Sequence, residues 1–146
     1  MTTPDYDDPD QEAEWCGLMR AEASRYLVEH AIPHGEVDEW PAFRLAPHVA
    51  VFAIEHAQQK GFVGHWVVCG DVPTDGVAAD GIGDARSALR AFALRWQNDC
   101  SAARASGANG VGAPGDLADD EGIRLLENRA RTLMRWAADD EIWNAS

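Results

Sequence analysis

The densest group of chemically capable side chains follows one apolar segment in the middle of the chain. Residues 62–69 are mostly large, aromatic or β-branched, a composition that favours a strand buried on both faces. Asp71, Thr74 and Asp75 then follow within five residues. Paired carboxylates of this kind bind divalent metal ions or act as general acid and base. These three residues, with Trp66 on the strand before them, are the first candidate binding residues.

The same aspartates also fit a purely structural role. In a turn, an Asp side chain accepts hydrogen bonds from backbone N–H groups one or two residues further on. Asp75 stands directly before Gly76, which is typical of such a turn. Two interpretations of the turn therefore remain. It is either a structural turn or part of a metal-assisted hydrolase that uses Asp71 and Asp75 with His65 or Glu55 nearby.

Other pairs of reactive side chains fail on geometry. His65 and Cys69 share one face of the predicted strand but lie about 13 Å apart, beyond the reach of a nucleophile and its base. Glu55 and His56 project about 100° apart on a helix and cannot chelate one metal ion together. The remaining histidines are isolated in the sequence. We therefore predict no assembled catalytic residues, no metal site and no cofactor.

Two tryptophans near the end of the chain form a further candidate binding surface. Trp136 and Trp143 are seven residues apart, so they lie on the same side of a helix. Two exposed rings at this spacing would form an apolar strip for another protein. The alternative is that both rings pack against another helix of the same chain.

The hydrophobic pattern predicts a mostly helical α+β fold. Asp8 and Pro9 are typical of a helix start, and Asp84 is suited to cap a later helix. The segment after Pro47 is apolar around much of its circumference, which indicates a central helix. We predict four helices around a short β element containing strand 62–69, at residues 9–31, 47–60, 84–105 and 119–143.

A single strand cannot satisfy its backbone hydrogen bonds in a core, so strand 62–69 needs a partner. The candidate segments within the chain are 33–37, 43–45 and 77–82. All are weak, because they are short or contain proline, glycine or acidic residues. Pairing with the same strand of a second copy is the other solution, and it predicts a homodimer.

The charge distribution bears on possible partners. The 146 residues carry a net charge of −13, and residues 1–39 hold eleven acidic residues against Arg20 and Arg25. Such a field repels nucleic acid and anionic membranes and attracts a basic protein surface. Solubility alone is the simpler explanation. Without a catalytic set, the sequence favours a non-enzymatic interaction module that binds a basic protein, with an inhibitor-like or immunity-like role as one form.

Several features of the sequence indicate the cellular location and the domain organisation of the protein. No apolar run approaches the ~20 residues that span a bilayer, and the acidic start has no leader-like apolar region. The three cysteines are odd in number and lack CxxC spacing, which indicates reduced thiols. We therefore expect a cytoplasmic protein, with a disordered acidic tail at 1–7 and a single globular domain at 8–146.

Three stretches of the sequence are similar to one known family. They are strand and turn 66–75, with its Gly-Asp-x-Pro-Thr-Asp motif, the helical segment 88–92, and the C-terminal segments 125–130 and 136–143. Together they resemble a bacterial family of small proteins known as a domain of unknown function, family 4826. The resemblance covers most of the chain from about Trp40 onward. It implies a single domain and a bacterial source, and it transfers no activity, cofactor or catalytic residue.

Overall fold

The computed structural model describes residues 6–105 and 120–144 of the chain. Residues 1–5 of the predicted tail lie outside this part. Within the described residues, four helices and a four-stranded antiparallel sheet confirm the predicted α+β, mostly helical fold. In chain order the elements are α1 (Pro9–Glu29), β1 (Phe43–Leu45), β2 (Val49–Glu55), β3 (Val63–Gly70), β4 (Asp75–Ala78), α2 (Ala85–Ala105), α3 (Asp120–Ala138) and α4 (Asp140–Asn144).

The chain divides into two compact units, Met1–Ala88 and Leu89–Ser146. The first unit contains α1, the sheet and the start of α2, so the boundary falls inside a helix. The second unit contains the rest of α2 with α3 and α4. The single globular domain predicted at 8–146 stays a prediction.

Helix α1 begins as its sequence indicates. The side chain of Asp8 accepts a hydrogen bond from the backbone N–H of Asp10 at 2.9 Å, and Pro9 occupies the first helical position. Gln11 donates to the Asp8 carboxylate at 3.5 Å. Side chains of α1 then cover one face of the sheet, and the buried ones are Trp15, Cys16, Ala23 and Leu27.

The four strands form a simple meander in the order β1-β2-β3-β4. Within it, Phe52 pairs with Val67, and Val67 pairs with Gly76. Alternation along the strands places Phe52, Val67 and Cys69 on the face that packs with α1, and all three are fully buried. The second half of β3 and the turn after it are thereby held at defined positions against α1.

The predicted helix at 47–60 is wrong, because this segment forms strand β2 and the turn after it. A short run of apolar residues is compatible with either a buried helix or a buried strand. Here the β-branched residues Val49, Val51 and Ile54 favour the strand, and all three are fully buried. The all-round apolar character of the segment comes from burial on both faces of a central strand.

Strand β3 has both of its neighbours within the chain, β2 on one edge and β4 on the other. The predicted candidates 77–82 and 43–45 do contribute to the sheet, as part of β4 and as β1. Of the candidate 33–37, only Val37 is bridged, to Ile54. Pairing of strand 62–69 with a second copy is therefore wrong as a route to a dimer, because β3 has no free edge over the residues that β4 covers.

The second unit has its own small core of Cys100, Ala103 and Ile123. Arg104 on α2 binds α3, since its guanidinium donates to Glu127 at 2.6 and 3.1 Å and to Asp120 at 3.0 Å. The predicted last helix at 119–143 is interrupted at Asp139. Its side chain accepts from the N–H of Glu141 at 3.0 Å and so starts a new helix, α4.

Candidate functional site

The turn between β3 and β4 lies against α1 through two side-chain contacts. The Thr74 hydroxyl donates to Glu22 at 3.0 Å, and the Tyr26 hydroxyl donates to Asp75 at 3.3 Å. The pKa of Glu22 is lowered, mainly by its hydrogen bond from Arg25 and further by Thr74. Both predicted turn residues are half-buried.

Asp75 also accepts a hydrogen bond from the backbone N–H of Gly76 at 2.8 Å. This is the structural arrangement that the sequence offered as the alternative to metal binding. Asp71 is exposed, and its backbone N–H donates to the carbonyl of His48 at 2.9 Å. The turn thus places Asp71, Thr74 and Asp75 near one another in the chain but directs Thr74 and Asp75 toward α1.

Trp66 is the fourth residue of the predicted group, and it lies inside the protein. Its side chain is 4% exposed, and its indole N–H donates to the carbonyl of Ile82 at 3.0 Å. It faces the opposite side of the sheet from Val67. Trp66 therefore anchors the chain after β4, and its role in binding stays a prediction.

Trp136 and Trp143 contact each other in the second unit. The indole N–H of Trp143 donates to the carbonyl of Trp136 at 2.9 Å, near the end of α3. Both side chains are half-buried. The turn at Asp139 brings Trp143 back onto the last turn of α3, an arrangement that differs from two rings along one straight helix. The binding role of the pair stays a prediction.

The three cysteines are free and buried, and the pKa of each thiol is raised by burial. For Cys69 the raised pKa is about 12. Cys69 lies within 3.6 Å of the carbonyl of Met19, as a weak S–H donor. These thiols therefore have the character of small buried hydrophobes.

The part of the chain that the structure describes contains a cleft that the sequence did not predict as a site. It has a volume of about 410 Å³ and is partly open to solvent. It is formed by Pro33 after α1, residues 56–58 after β2, residues 63–65 at the start of β3, and residues 78–80 at the end of β4. His56, His65 and Asp80 all line it. We name this feature the histidine cleft.

Backbone geometry positions the first imidazole of the histidine cleft. Nδ1 of His56 accepts hydrogen bonds from the backbone N–H groups of Gln58 at 3.0 Å and Gln59 at 3.2 Å. The proton of the neutral ring therefore resides on Nε2. Gly64 lies so close to His56 that a Cβ atom would be 2.9 Å from the His56 Cα atom. Only glycine lets β3 approach the ring this closely.

The second imidazole, His65, is half-buried, and its surroundings set its charge. Burial lowers its pKa, the charge of Asp80 opposes this, and His56 and His34 lower the pKa further. Neither ring nitrogen of His65 has a hydrogen-bond partner among residues 6–105 and 120–144. Among the same residues, no group of three or more His, Cys, Asp or Glu side chains is arranged to hold a metal ion.

Sequence reasoning missed this cleft for a physical reason. His34, His56, His65 and Asp80 lie far apart in the chain, and their spacing matches no motif. The pairing of His65 with both Ile54 and Ala78 brings the ends of β2 and β4 beside the same imidazole. The prediction of a helix at 47–60 placed His56 on that helix, whereas His56 directly follows strand β2. Recognition of β2 as a strand would have placed His56 beside the sheet and close to His65.

The fold is thus an α+β arrangement in which a four-stranded meander carries one helix on one of its faces. Its candidate sites are an acidic helix, a structured turn and a histidine-lined cleft. Residues 9–143 match the family described as domain of unknown function DUF4826, and the chain belongs to that family. A search of curated proteins and a search of solved structures each found no match to the chain. No described helix is long and apolar enough to cross a membrane.

Proposed function

We propose that this protein is a non-enzymatic interaction module whose acidic N-terminal region binds a basic protein in the cytoplasm. The observation that carries the proposal is the exposure of carboxylates on α1 and on the segment that follows it. Six acidic residues of this region are exposed, and one of them, Glu29, is paired with Arg25. The other five are Asp10, Glu14, Glu36, Asp38 and Glu39, and we call these five the acidic face.

The basic residues of the same region are already engaged. Arg20 donates to the backbone carbonyls of Val37 and Asp38 at 2.8 to 3.1 Å. Arg25 forms ion pairs with Glu22 and Glu29. No described cation pairs with the side chains of Glu14, Asp38 or Glu39. A basic partner would therefore supply the missing counter-charge, with electrostatic steering of its approach.

The negative electrostatic field of the acidic face favours a protein partner with a basic surface. One form of the proposed function is an inhibitor-like or immunity-like role. Free, buried cysteines are consistent with a cytoplasmic protein. The metal-assisted hydrolase on Asp71 and Asp75 stays a prediction that no contact in the described residues favours. Asp75 instead receives hydrogen bonds from Gly76 and Tyr26.

The test compares two variants that change net charge equally at different places. One carries Glu14→Gln, Asp38→Asn and Glu39→Gln within the acidic face. The control carries Asp99→Asn, Glu121→Gln and Glu141→Gln, all exposed residues outside it. Each protein is immobilised and exposed to host lysate, and the recovered basic protein is then purified for affinity measurements.

We expect the acidic-face variant to lose roughly tenfold or more in affinity for that protein, while the control keeps most of it. Binding by the wild type should also weaken as salt rises, because the Debye length falls to about 8 Å at physiological ionic strength. If both variants lose affinity for the basic protein equally, net charge alone explains the binding, and the acidic face is not the binding surface. Recovery of no basic protein would contradict the proposal itself.

A further inference from the structure

We infer that the histidine cleft binds a small organic monocarboxylate that carries an apolar body. This site is separate from the acidic face and does not depend on a protein partner. The inference rests on the cleft itself, on the polar groups that line it and on its apolar surface.

The size and lining of the cleft suit a small ligand. Its volume of about 410 Å³ lies within the usual range for small-molecule sites. Much of its lining is apolar, from Pro33, Ala57, Val63, Ala78 and Ala79. Such sites bind the body of a ligand by apolar contact and orient it through a few polar groups.

The polar groups of the cleft are mainly N–H donors. Nε2–H of His56 is available, because Nδ1 already accepts two backbone hydrogen bonds. The imidazole of His65 has no partner among the described residues, and the exposed Gln58 adds an amide. A carboxylate accepts hydrogen bonds from all three kinds of donor.

The charges around the cleft favour a single negative charge on the ligand. His56 and His34 lie close enough to His65 for their charges to lower its pKa, and Asp80 is the acid that acts on it. Glu55 lies on the same hairpin, where its carboxylate accepts from the backbone of Glu36 and Gly61. A phosphate dianion would meet twice the repulsion from Asp80 and from the net charge of −13.

An anion in the cleft would replace part of the solvation that burial removes from protonated His65. Because the pKa of His65 is lowered from its ordinary value of 6.5, binding should tighten as the pH falls below 6.5 and His65 becomes protonated. It should also raise the pKa of His65. Both effects require His65 itself and distinguish a ligand contact from a general effect of pH on the protein.

The test uses benzoate as the probe and benzamide as its uncharged counterpart of the same shape. Nuclear magnetic resonance follows the ring protons of His56 and His65 and the amide groups of Gly64 and Ala79 during titration. We expect saturable shifts with benzoate at these residues, and affinities at least about tenfold lower for benzamide. Inorganic phosphate serves as the third probe and should bind more weakly than benzoate.

Two variants that should change the affinity for benzoate in opposite directions separate an effect on binding from a loss of folding. His65→Gln should weaken benzoate binding about tenfold and remove its pH dependence, as expected for loss of one charge-assisted hydrogen bond. At a pH low enough for His65 to be protonated in both proteins, Asp80→Asn should tighten benzoate binding roughly threefold, because an exposed repelling charge is removed. His48→Gln, which alters an exposed histidine outside the cleft, should leave the affinity unchanged.

Equal binding of benzoate and benzamide would overturn the inference, as would shifts that spread over the surface without saturating. Weaker binding in Asp80→Asn at that low pH would also overturn it, because the Asp80 carboxylate would then contact the ligand favourably and not repel it. Tighter binding of phosphate than of benzoate would overturn the choice of a monocarboxylate. Loss of basic-protein binding in the acidic-face variant has no bearing on these outcomes.

Discussion

The hydroxyl of Thr74 and the ring of Tyr26 illustrate how single side chains position the β3–β4 turn. Thr74 donates to Glu22, and Tyr26 donates to Asp75 while its ring stacks on His30 with centroids 4.2 Å apart. The chain of contacts therefore runs from the turn to the last turns of α1. Substitutions at this contact should affect stability before they affect any binding function.

The close approach of Tyr26 to β4 gives a first prediction. A Cβ atom at Gly76 would lie 2.7 Å from Tyr26 Cε1, and the ring cannot move without losing its contacts with His30 and Asp75. We expect Gly76→Ala to lower the free energy of unfolding by about 1–3 kcal/mol, measured by urea denaturation. The penalty should shrink in a Tyr26→Ala background.

The matched control is Gly17→Ala on the exposed side of α1. Nothing lies within 4 Å of a Cβ atom at that position. Because alanine is the better helix former, this change should raise the free energy of unfolding by about 0.5–1 kcal/mol. Stabilisation by Gly76→Ala, or an undiminished penalty without Tyr26, would contradict the assigned clash.

Burial of the thiols gives a second prediction. The pKa of Cys69 is raised from 9.0 to about 12, so folding favours the neutral thiol and stability falls as pH rises between these values. At about pH 8 the native protein should react slowly with a thiol-specific chromogenic disulfide, since thiolate is the reactive form. All three cysteines should react in denaturant, and an added Ala21→Cys thiol on the exposed side of α1 should react at once. Rapid reaction of a native thiol would contradict this account.

At the scale of elements, the ends of α1 and β2 determine how the first unit is connected. Helix α1 ends in a Schellman motif, in which Ile32 N–H donates to the Leu27 carbonyl at 2.9 Å and Ala31 N–H donates to Val28 at 3.1 Å. Strand β2 ends at Glu55, whose carboxylate accepts backbone N–H groups from two different segments. Substitution of Ala31 at the end of α1 and of Glu55 at the end of β2 tests how these two ends contribute to stability.

Ala31 has a φ angle of 52°, the left-handed conformation that glycine adopts without steric strain. We therefore expect Ala31→Gly to raise the free energy of unfolding by about 1 kcal/mol. The control Ala21→Gly, in the interior of α1, should lower it by about 1 kcal/mol. Denaturant midpoints of the two variants should move in opposite directions, and a shared direction would contradict the assignment.

Glu55 joins the β2–β3 turn to the segment after α1. Its pKa is lowered by hydrogen bonds from the backbone N–H groups of Glu36 and Gly61. The stabilisation is therefore present above pH 4.5, the ordinary pKa, and is lost as the pH falls through the lowered value. We expect Glu55→Gln to be less stable than wild type at neutral pH and to converge with it in acid.

Two measurements check this prediction. Urea denaturation as a function of pH gives the convergence, and amide hydrogen exchange should quicken selectively at Glu36 and Gly61 in Glu55→Ala. Glu36→Gln is the matched control, because Glu36 contributes its backbone N–H to this contact and its side chain is exposed. A control that loses as much stability as Glu55→Gln would contradict the assigned role.

For the whole molecule, charge and strand pairing bear on self-association. Eleven of the thirteen excess negative charges lie in Met1–Ala88, the unit that contains the sheet. Two copies would therefore repel each other most strongly where the sheet lies. Because β3 finds its partners in β2 and β4, the need for a second copy disappears.

We accordingly expect light scattering at micromolar concentration to give the monomer mass of 15.9 kDa. The mass should stay that of the monomer at low salt. A dimer held by surfaces other than the edge of β3 would instead become more stable as added salt screens the repulsion between the two copies. The homodimer expected from the sequence is not excluded by the fold if it forms through such surfaces, and this measurement tests it. Observation of a stable dimer at moderate salt would show that one of those surfaces overcomes the repulsion.

The sequence by itself determined the fold class, the start of α1, helix α2 and strand β3. These follow from local chemistry, since Asp8 and Asp84 accept backbone N–H groups at helix starts and β3 contains three valines and Trp66. Membership of the family was also predicted from the sequence, because each stretch that resembles the family consists of consecutive residues. Local patterns are sufficient wherever one segment carries the whole signal.

The tertiary structure decided the identity of β2, the break at Asp139 and the histidine cleft. An apolar segment such as Val49–Glu55 forms a strand because neighbouring strands satisfy its backbone, and periodicity does not encode those neighbours. The cleft depends on the same pairing, since sheet register brings His56 and Asp80 to opposite sides of His65. Contacts between residues distant in the chain are set by the free energy of the whole fold, and no single segment contains them.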